Sequence, residues 1–394
     1  MKLASNLIST LFVVLVSNPS RLFVSNVAAH GAMETPQELA RRAEHINQAR
    51  ASLEKCAEKI HTRERIEQRL RRRNALVDQF VEMKKRDGVE ISLNPELRKR
   101  DLSSKVDLKS LFPANPACVL APELTIGPYY ASNQLIRNDM REDIDGVELL
   151  LALEIIDVNT CKVVPNVMID FWHCSNLGQY SAFAAEGTTG ETFNRGLQAT
   201  GSDGIATMTT IFPGWYSGRA THVHIAAHIN GTISSDGDFY SGGISPHIGQ
   251  LFFPESTLKE IQSNSHYAAN NNTRTPNTED NIYAQGNVSG LNPEMAIQYI
   301  TEGDINAGIV ATIVIGIDTS KNYSLTMSGG SGNGGPGDGT VPGDANDTSS
   351  ATASTTATST TGGTVAAIAN IFTLQGLGIS SILSVVLGLY LFNM

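Results

Sequence analysis

Between residues 147 and 318 the chain reads as a series of short apolar, β-branched runs divided by turn residues. "VELLLALEIIDVNTCKVVPNVMIDFWHCS" holds two such runs, 147–158 and 163–173, around an Asn-Thr turn, with Pro165 early in the second. "GIATMTTIFPG" and "THVHIAAHIN" alternate like further strands, and "GDINAGIVATIVIGID" at 303–318 suits a closing strand. "TGSDG" at 200–204 and "SSDGDF" at 234–239 supply turn chemistry. Many short strands at this spacing predict an all-β sandwich or barrel over 118–320, with any helices of this region between 254 and 300.

The segment before it has a different character. "TPQELARRAEHINQARASLEKCAEKI" is rich in helix formers, with Thr35–Pro36 as cap and first helical residue. Leu39, Ala43 and Ile46 share a face that Leu53, Ala57 and Ile60 continue. "IEQRLRRRNALVDQFVEMKKR" predicts a second helix ending at Asp87–Gly88. The expected fold is therefore mainly β, a sandwich or barrel-like core preceded by a helical N-terminal segment. Residues 30–100 carry 17 Lys and Arg against 12 Asp and Glu, a net of +5; residues 101–394 carry 10 against 27, a net of −17. An acidic majority argues against a nucleic-acid partner. Lys99–Arg100 before Asp101 is a dibasic pair that secretory proteases cut, so 30–100 reads either as a removable pro-segment or as a charged linker region.

Both ends resemble addresses. Residues 1–29 combine Lys2, an apolar run from Leu7 to Val16, and small residues at Val27–Ala29, as a signal peptide does. Residues 326–364 are a Gly-rich and then Ser/Thr/Ala-rich linker or stalk, which cannot bury enough apolar surface to fold. Small residues near Gly362–Asn370, a spacer and a terminal apolar run at 379–392 make 365–394 a GPI-type attachment signal, with a single membrane span as the alternative. Five N-x-S/T sequons, at Asn230, Asn271, Asn287, Asn322 and Asn346, suit secretion. The expected location is thus the cell surface. Cys56, Cys118, Cys161 and Cys174 are too scattered for a zinc site and allow three full disulfide pairings.

The chemistry concentrates in the β region, 101–325. In a strand, residues two apart point the same way, so His222 and His224 of "THVHI" present two imidazoles to one point. "GQYSAF" and "WYSGRATHVH" each place a tyrosine, Tyr180 and Tyr216, in a loop beside a strand end. A phenol becomes a good ligand only beside a strongly Lewis-acidic cation, and ferric iron suits hard oxygen donors.

The stretch "VPNVMIDFWHCSNLGQYS" (164–181) followed by "FPGWYSGRATHVHI" (212–225) resembles the intradiol ring-cleavage dioxygenases, non-haem Fe(III) enzymes that open catechols between the hydroxylated carbons. "LTIGPYY" (124–130) is similar to the family's "EGPYY" entry segment, with Ile126 where Glu is usual, and "GQLFF" (249–253) to its Gln-Leu-aromatic strand. The resemblance covers about 118–318 and looks closest to the secreted fungal branch. It implies Tyr180, Tyr216, His222 and His224 as iron ligands. It implies that Tyr216 leaves the ion and takes a substrate proton, and that Arg219 faces the substrate ring with Gln250 beside it. Pro128, Tyr129 and Trp172 would line the pocket. The expected substrates are a small aromatic diol and O2, and the expected products cis,cis-muconates. Cytosolic relatives dimerise through N-terminal helices, which leaves a homodimer open here.

Two other readings remain. A catalytically silent, wall-associated β module would be colourless, where ferric phenolate is wine-red. A copper or manganese oxidase built on the histidine pair would leave both tyrosines unexplained.

Overall fold

The computed structural model describes residues 36–98, 126–132, 134–287, 291–323 and 325. The signal, dibasic, linker and tail segments expected above, with Cys118 and Asn346, lie outside the described residues. Two long helices, α1 (Pro36–Ile60) and α2 (Arg63–Arg86), open the fold, followed by the single turn α3 (Pro95–Arg98). Thr62 caps α2 by accepting from the Arg65 amide, and Glu64 in its first turn and Lys84, Lys85 and Arg86 in its last match the helix dipole. None of the described helices is long and apolar enough to cross a membrane.

Among the described residues ten strands follow: β1 (Glu148–Asp157), β2 (Met168–Trp172), β3 (Arg195–Ala199), β4 (Ile205–Ile211), β5 (His222–Ile229), β6 (Thr232–Ile233), β7 (Tyr240–Ser241), β8 (Ile244–Phe252), β9 (Ala296–Thr301) and β10 (Asp304–Ile317). Between β8 and β9 lie α4 (Glu255–Gln262) and α5 (Asn281–Gly286), within the window the sequence left for helices. One sheet has the order β4-β1-β10-β9, the other β3-β2-β5-β8, and β6 and β7 form a small hairpin. The two large sheets make a sandwich. Leu149, Leu151, Leu153 and Ile155 of β1 share one core with Ile169 and Phe171 of β2 and with Val223, Ile225 and Ala227 of β5. This is the mainly β architecture with a helical prefix that the sequence predicts.

β1 explains its own composition. A strand with one wet face alternates; "ELLLALEIID" does not, because both of its faces are covered. Leu150 and Ala152 pack against Leu76, Val77, Phe80 and Leu97 of the helical segment. Ile156 packs with Cys56 and Ile60. Glu154 projects from the same outer face and pairs with Arg65 at 2.8 Å and with Arg69. A disulfide joins Cys56 of α1 to Cys161 in the turn after β1, across 105 residues. Among the described residues Cys174 has no disulfide partner, and it is buried. The helical segment is therefore the outer layer of the first sheet, and a cut at Lys99–Arg100 would leave it covalently attached.

β2 is shorter than the 163–173 run suggests. Asn166 adopts a left-handed backbone and Pro165 lacks an amide donor, so regular pairing starts at Met168; Val163 makes only an isolated bridge to Ile156.

Candidate active site

The second sheet has two unlike faces. Val223 and Ile225 of β5 enter the core, so His222 and His224 must point to the opposite face. The ladder sets their neighbours: Trp172 lies opposite His224 on one side and Gln250 on the other. His222 is opposite Phe252. Trp172 stacks on the His224 ring at 4.8 Å and 7°.

Two loops cover this face and carry the tyrosines. Tyr180 follows β2, and Tyr216 lies between β4 and β5. The loops run almost in contact: the Gly214 amide donates to the Ser175 carbonyl, and side chains at two glycines would collide with backbone. A Cβ on Gly178 would stand 2.3 Å from the Trp215 carbonyl oxygen, and one on Gly214 2.3 Å from that of Asn176. Gly178 also has φ +84°, which an L side chain resists. A third loop clasps both. Asn270 donates to the Asn176 and Trp215 carbonyls, and the Trp215 indole donates to the Asn272 carbonyl.

The four donors converge. The Nε2 atoms of His222 and His224 are 3.0 Å apart, and the Tyr216 hydroxyl is 3.4 Å from His222 Nε2. The Tyr180 ring lies 5.8 Å from that of Tyr216 and 6.2 Å from that of His224. His222 donates from Nδ1 to the Ala220 carbonyl at 2.6 Å, which leaves Nε2 as its lone-pair nitrogen. Burial, with the Arg219 charge nearby, pushes His222 down to about 3, and burial with the His222 charge holds His224 well below the usual range. Both are thus neutral imidazoles, the form that binds metal. Burial pushes Tyr216 up to about 12 and Tyr180 well above the ordinary phenol value. Without a cation both phenols stay protonated.

This donor set fits a ferric ion. Two nitrogens about 2.1 Å from one cation and at right angles stand about 3.0 Å apart, as these do. Among the described residues the buried Tyr180 hydroxyl has no partner in good hydrogen-bond geometry, an arrangement that otherwise costs about 1–3 kcal/mol. Two phenols among the donors favour a hard, highly charged ion. Among the described residues no group of three or more His, Cys, Asp or Glu is placed to hold a metal; beside this histidine pair stand two tyrosines instead.

Arg219 and Gln250 adjoin the donors. Arg219 Nη2 donates to Gln250 Oε1, and Arg219 Nε donates to Asp280 at 2.9 Å. Asp280 was not apparent in the sequence; it lies 61 residues from Arg219 with no local pattern linking them.

Residues 125–236 match the family model Dioxygenase_C, described as a dioxygenase. Over this segment the chain is similar to that dioxygenase family. The match spans Tyr180, Tyr216, Arg219 and both histidines. No curated protein matches the chain. Among solved structures it is similar to an intradiol ring-cleavage dioxygenase from Tetranychus urticae, at 28% identity over 50% of this chain and 94% of that one, with a TM-score of 0.43. It is also similar to the dioxygenase domain of a dioxygenase and carbohydrate-binding fusion from Streptomyces sp. SirexAA-E, at 23% identity over 50% and 97%, with a TM-score of 0.34. A third is catechol 1,2-dioxygenase from Pseudomonas arvilla C-1, at 17% identity over 52% and 66%, with a TM-score of 0.34. The family match agrees with the dioxygenase resemblance of the sequence motifs.

Around these four side chains, Tyr129 stacks on the Tyr180 ring at 4.1 Å and 5° and lies 6.0 Å from the Tyr216 ring. Pro128, half-buried, sits in the same turn. Trp172 is fully buried and braces the His224 ring by stacking on it, rather than opening onto a cavity. Glu186 was also missed. It accepts from the Tyr180 amide at 2.6 Å and from the Tyr129 hydroxyl, and so holds both members of the stacked pair. Arg195, buried, donates to Ser181 and to the Tyr129 carbonyl, fixing the entry turn to the Tyr180 loop. His173 bonds to Thr210 and Cys174 and takes no part in the cluster.

Proposed function

We propose that the dioxygenase domain binds Fe(III) and opens catechol-type aromatic diols between their hydroxylated carbons, placing both atoms of O2 in a cis,cis-muconate-type product. The observation that carries this reading is the convergence of two neutral imidazoles and two buried phenols beside a buried arginine. Tyr180, Tyr216, His222 and His224 would hold the ion, which when bound acts as a Lewis acid and template for the diol and O2. The chain's own residues do the rest. Tyr216 reaches His222 through a long 3.4 Å contact and is the less enclosed phenol, which suits it to take up a substrate proton. Arg219, anchored at two points, presents a fixed positive charge to the oxyanion that develops on the ring. Gln250 orients it.

The test is an oxygen electrode with iron-loaded protein. Catechol should consume one O2 per ring opened, and the protein should be wine-red from phenolate-to-iron charge transfer. Colourless protein that takes up iron without that band would support the silent module.

The same reading extends to location. The N-terminal apolar run, the sequons and the C-terminal tail support a secreted protein held at the surface by a GPI-type anchor. The four described sequon asparagines, Asn230, Asn271, Asn287 and Asn322, are all exposed. Release from cells by a phosphatidylinositol-specific phospholipase would support the anchor; retention in the membrane after that treatment would favour a span.

A further inference from the structure

Asp280 is only 2% exposed, and its partner Arg219 4%. Each carboxylate oxygen has a separate task. Oδ1 accepts from the Ile282 and Tyr283 amides at 2.7 and 2.9 Å and caps α5. Oδ2 accepts from Arg219 Nε at 2.9 Å and from the Ala220 amide at 2.7 Å. One side chain thus ties a helix start to the residues that lead into the histidine strand.

We propose that Asp280 is a positioning residue for ring opening: it fixes the direction of the Arg219 guanidinium over the iron-binding face. The inference rests on the Fe(III) dioxygenase reading above.

A guanidinium on a flexible stem has about 2 kcal/mol of rotamer entropy to lose before it can hold one direction. Two anchors fix it here, Asp280 at Nε and Gln250 at Nη2. With Nε and Nη2 given to these anchors, the Nη1 N–H groups are the ones to present to a substrate oxygen. Asp280 also decides where the charge rests. The other groups near Arg219 that can become anionic are the Tyr216 and Tyr180 phenols. Without Asp280, the guanidinium would be drawn onto those ligand oxygens and away from the diol. The covalent link through Ala220 makes the restraint stiffer, because the same oxygen holds the backbone that carries the side chain.

The test compares wild type, Asp280→Asn, Arg219→Ala and the double variant, each loaded with iron. Asparagine caps helices as well as aspartate does, so α5 should survive. Asp280→Asn should keep wild-type iron content and phenolate colour. Its kcat should fall by about 10–100-fold, less than the roughly 10²–10³-fold expected when a donor to the developing oxyanion is removed outright, as in Arg219→Ala. KM for catechol and Kd for 4-nitrocatechol, read from the ligand's own absorbance, should change less than about threefold. In the Arg219→Ala background Asp280→Asn should have no further effect. Wild-type kcat in Asp280→Asn, or losses that multiply in the double variant, would overturn the proposal. Should Asp280→Asn fail to fold, Asp280→Ser retains a capping oxygen and is read in the same way; if both unfold, Asp280 serves the fold and the proposal falls. Wild-type protein that opens no catechol would instead refute the functional reading beneath it.

Discussion

The disulfide between Cys56 and Cys161 is the feature whose removal has the most calculable result. It closes a loop across 105 residues. Cross-linking a loop of about 100 residues restricts the unfolded chain by about 4.7 kcal/mol in the chain-entropy treatment. At roughly 2–4 °C per kcal/mol for a domain of this size, Cys56→Ser/Cys161→Ser should melt about 10–20 °C lower. It should still fold, because Leu76, Val77, Phe80 and Leu97 remain packed on Leu150, Ala152 and Val310, and Arg65 and Arg69 remain paired with Glu154. Differential scanning calorimetry of the two proteins checks the shift. The same bond decides whether 30–100 is removable. After cleavage at Lys99–Arg100 the helical fragment should migrate with the β domain on a non-reducing gel and separate under reductant. A chain beginning at residue 101 should aggregate, since it bares the outer face of β1, where Leu150 and Val310 are fully buried in the intact protein. A melting drop below about 3 °C, together with a soluble monomer starting at 101, would refute the reasoning and restore the pro-segment reading.

Other outcomes follow from single contacts. Tyr180→Phe should weaken and shift the ferric-phenolate band, which Tyr216 alone would then give, yet iron-free Tyr180→Phe should melt within a few degrees of iron-free wild type, because among the described residues the buried hydroxyl has no partner in good hydrogen-bond geometry. Glu154→Ala leaves two arginines on a buried face and should cost about 3–5 kcal/mol in urea denaturation; Glu154→Gln should cost less. Glu186→Ala should leave iron uptake intact but shift the phenolate band, as the Tyr129–Tyr180 stack loses its common anchor. Protein secreted from a eukaryotic host should lose mass on endoglycosidase treatment, and Asn271→Gln should reduce that loss by one glycan.

The sequence conveys this site unevenly, for physical reasons. His222 and His224 are legible because a strand converts spacing into direction, and the ladder then carries Trp172 and Gln250 to their sides. Tyr180 and Tyr216 needed the family resemblance, since nothing in a loop's composition says where its phenol will point. Asp280 and Glu186 were illegible: each acts on a group distant in the chain or through a backbone amide, and neither leaves a periodic trace. In β1 the unbroken run "LLLAL" announced burial on both faces, but not that the second cover would be the basic helices. Those helices looked separable because their charges were mixed; Arg65, Arg69 and Arg73 proved to be turned inward against the sheet and its flanking residues. The cysteines allowed three pairings, and the position of α1 over the β1 turn selected Cys56 with Cys161.

The two sheets solve the same problem in different ways, and the difference separates stability from chemistry. The outer face of the first sheet is mostly apolar, so apart from the Glu154 ion pairs and the Arg73–Gln298 contact the helices cover it with side chains that need no exact partner. The outer face of the second carries His222 and His224, whose neutral nitrogens need polar partners once water is excluded. Its cover is accordingly made of loops, held together by Asn270, Asn272 and Asp280 and close enough at Gly178 and Gly214 to deliver two phenols. The Cys56 cluster and the Tyr180 cluster share no residue. Reducing the disulfide should therefore lower the melting temperature while leaving the phenolate band of the iron-loaded protein where it was. A band that moves on reduction would show that the helical layer reaches the ligands through the core.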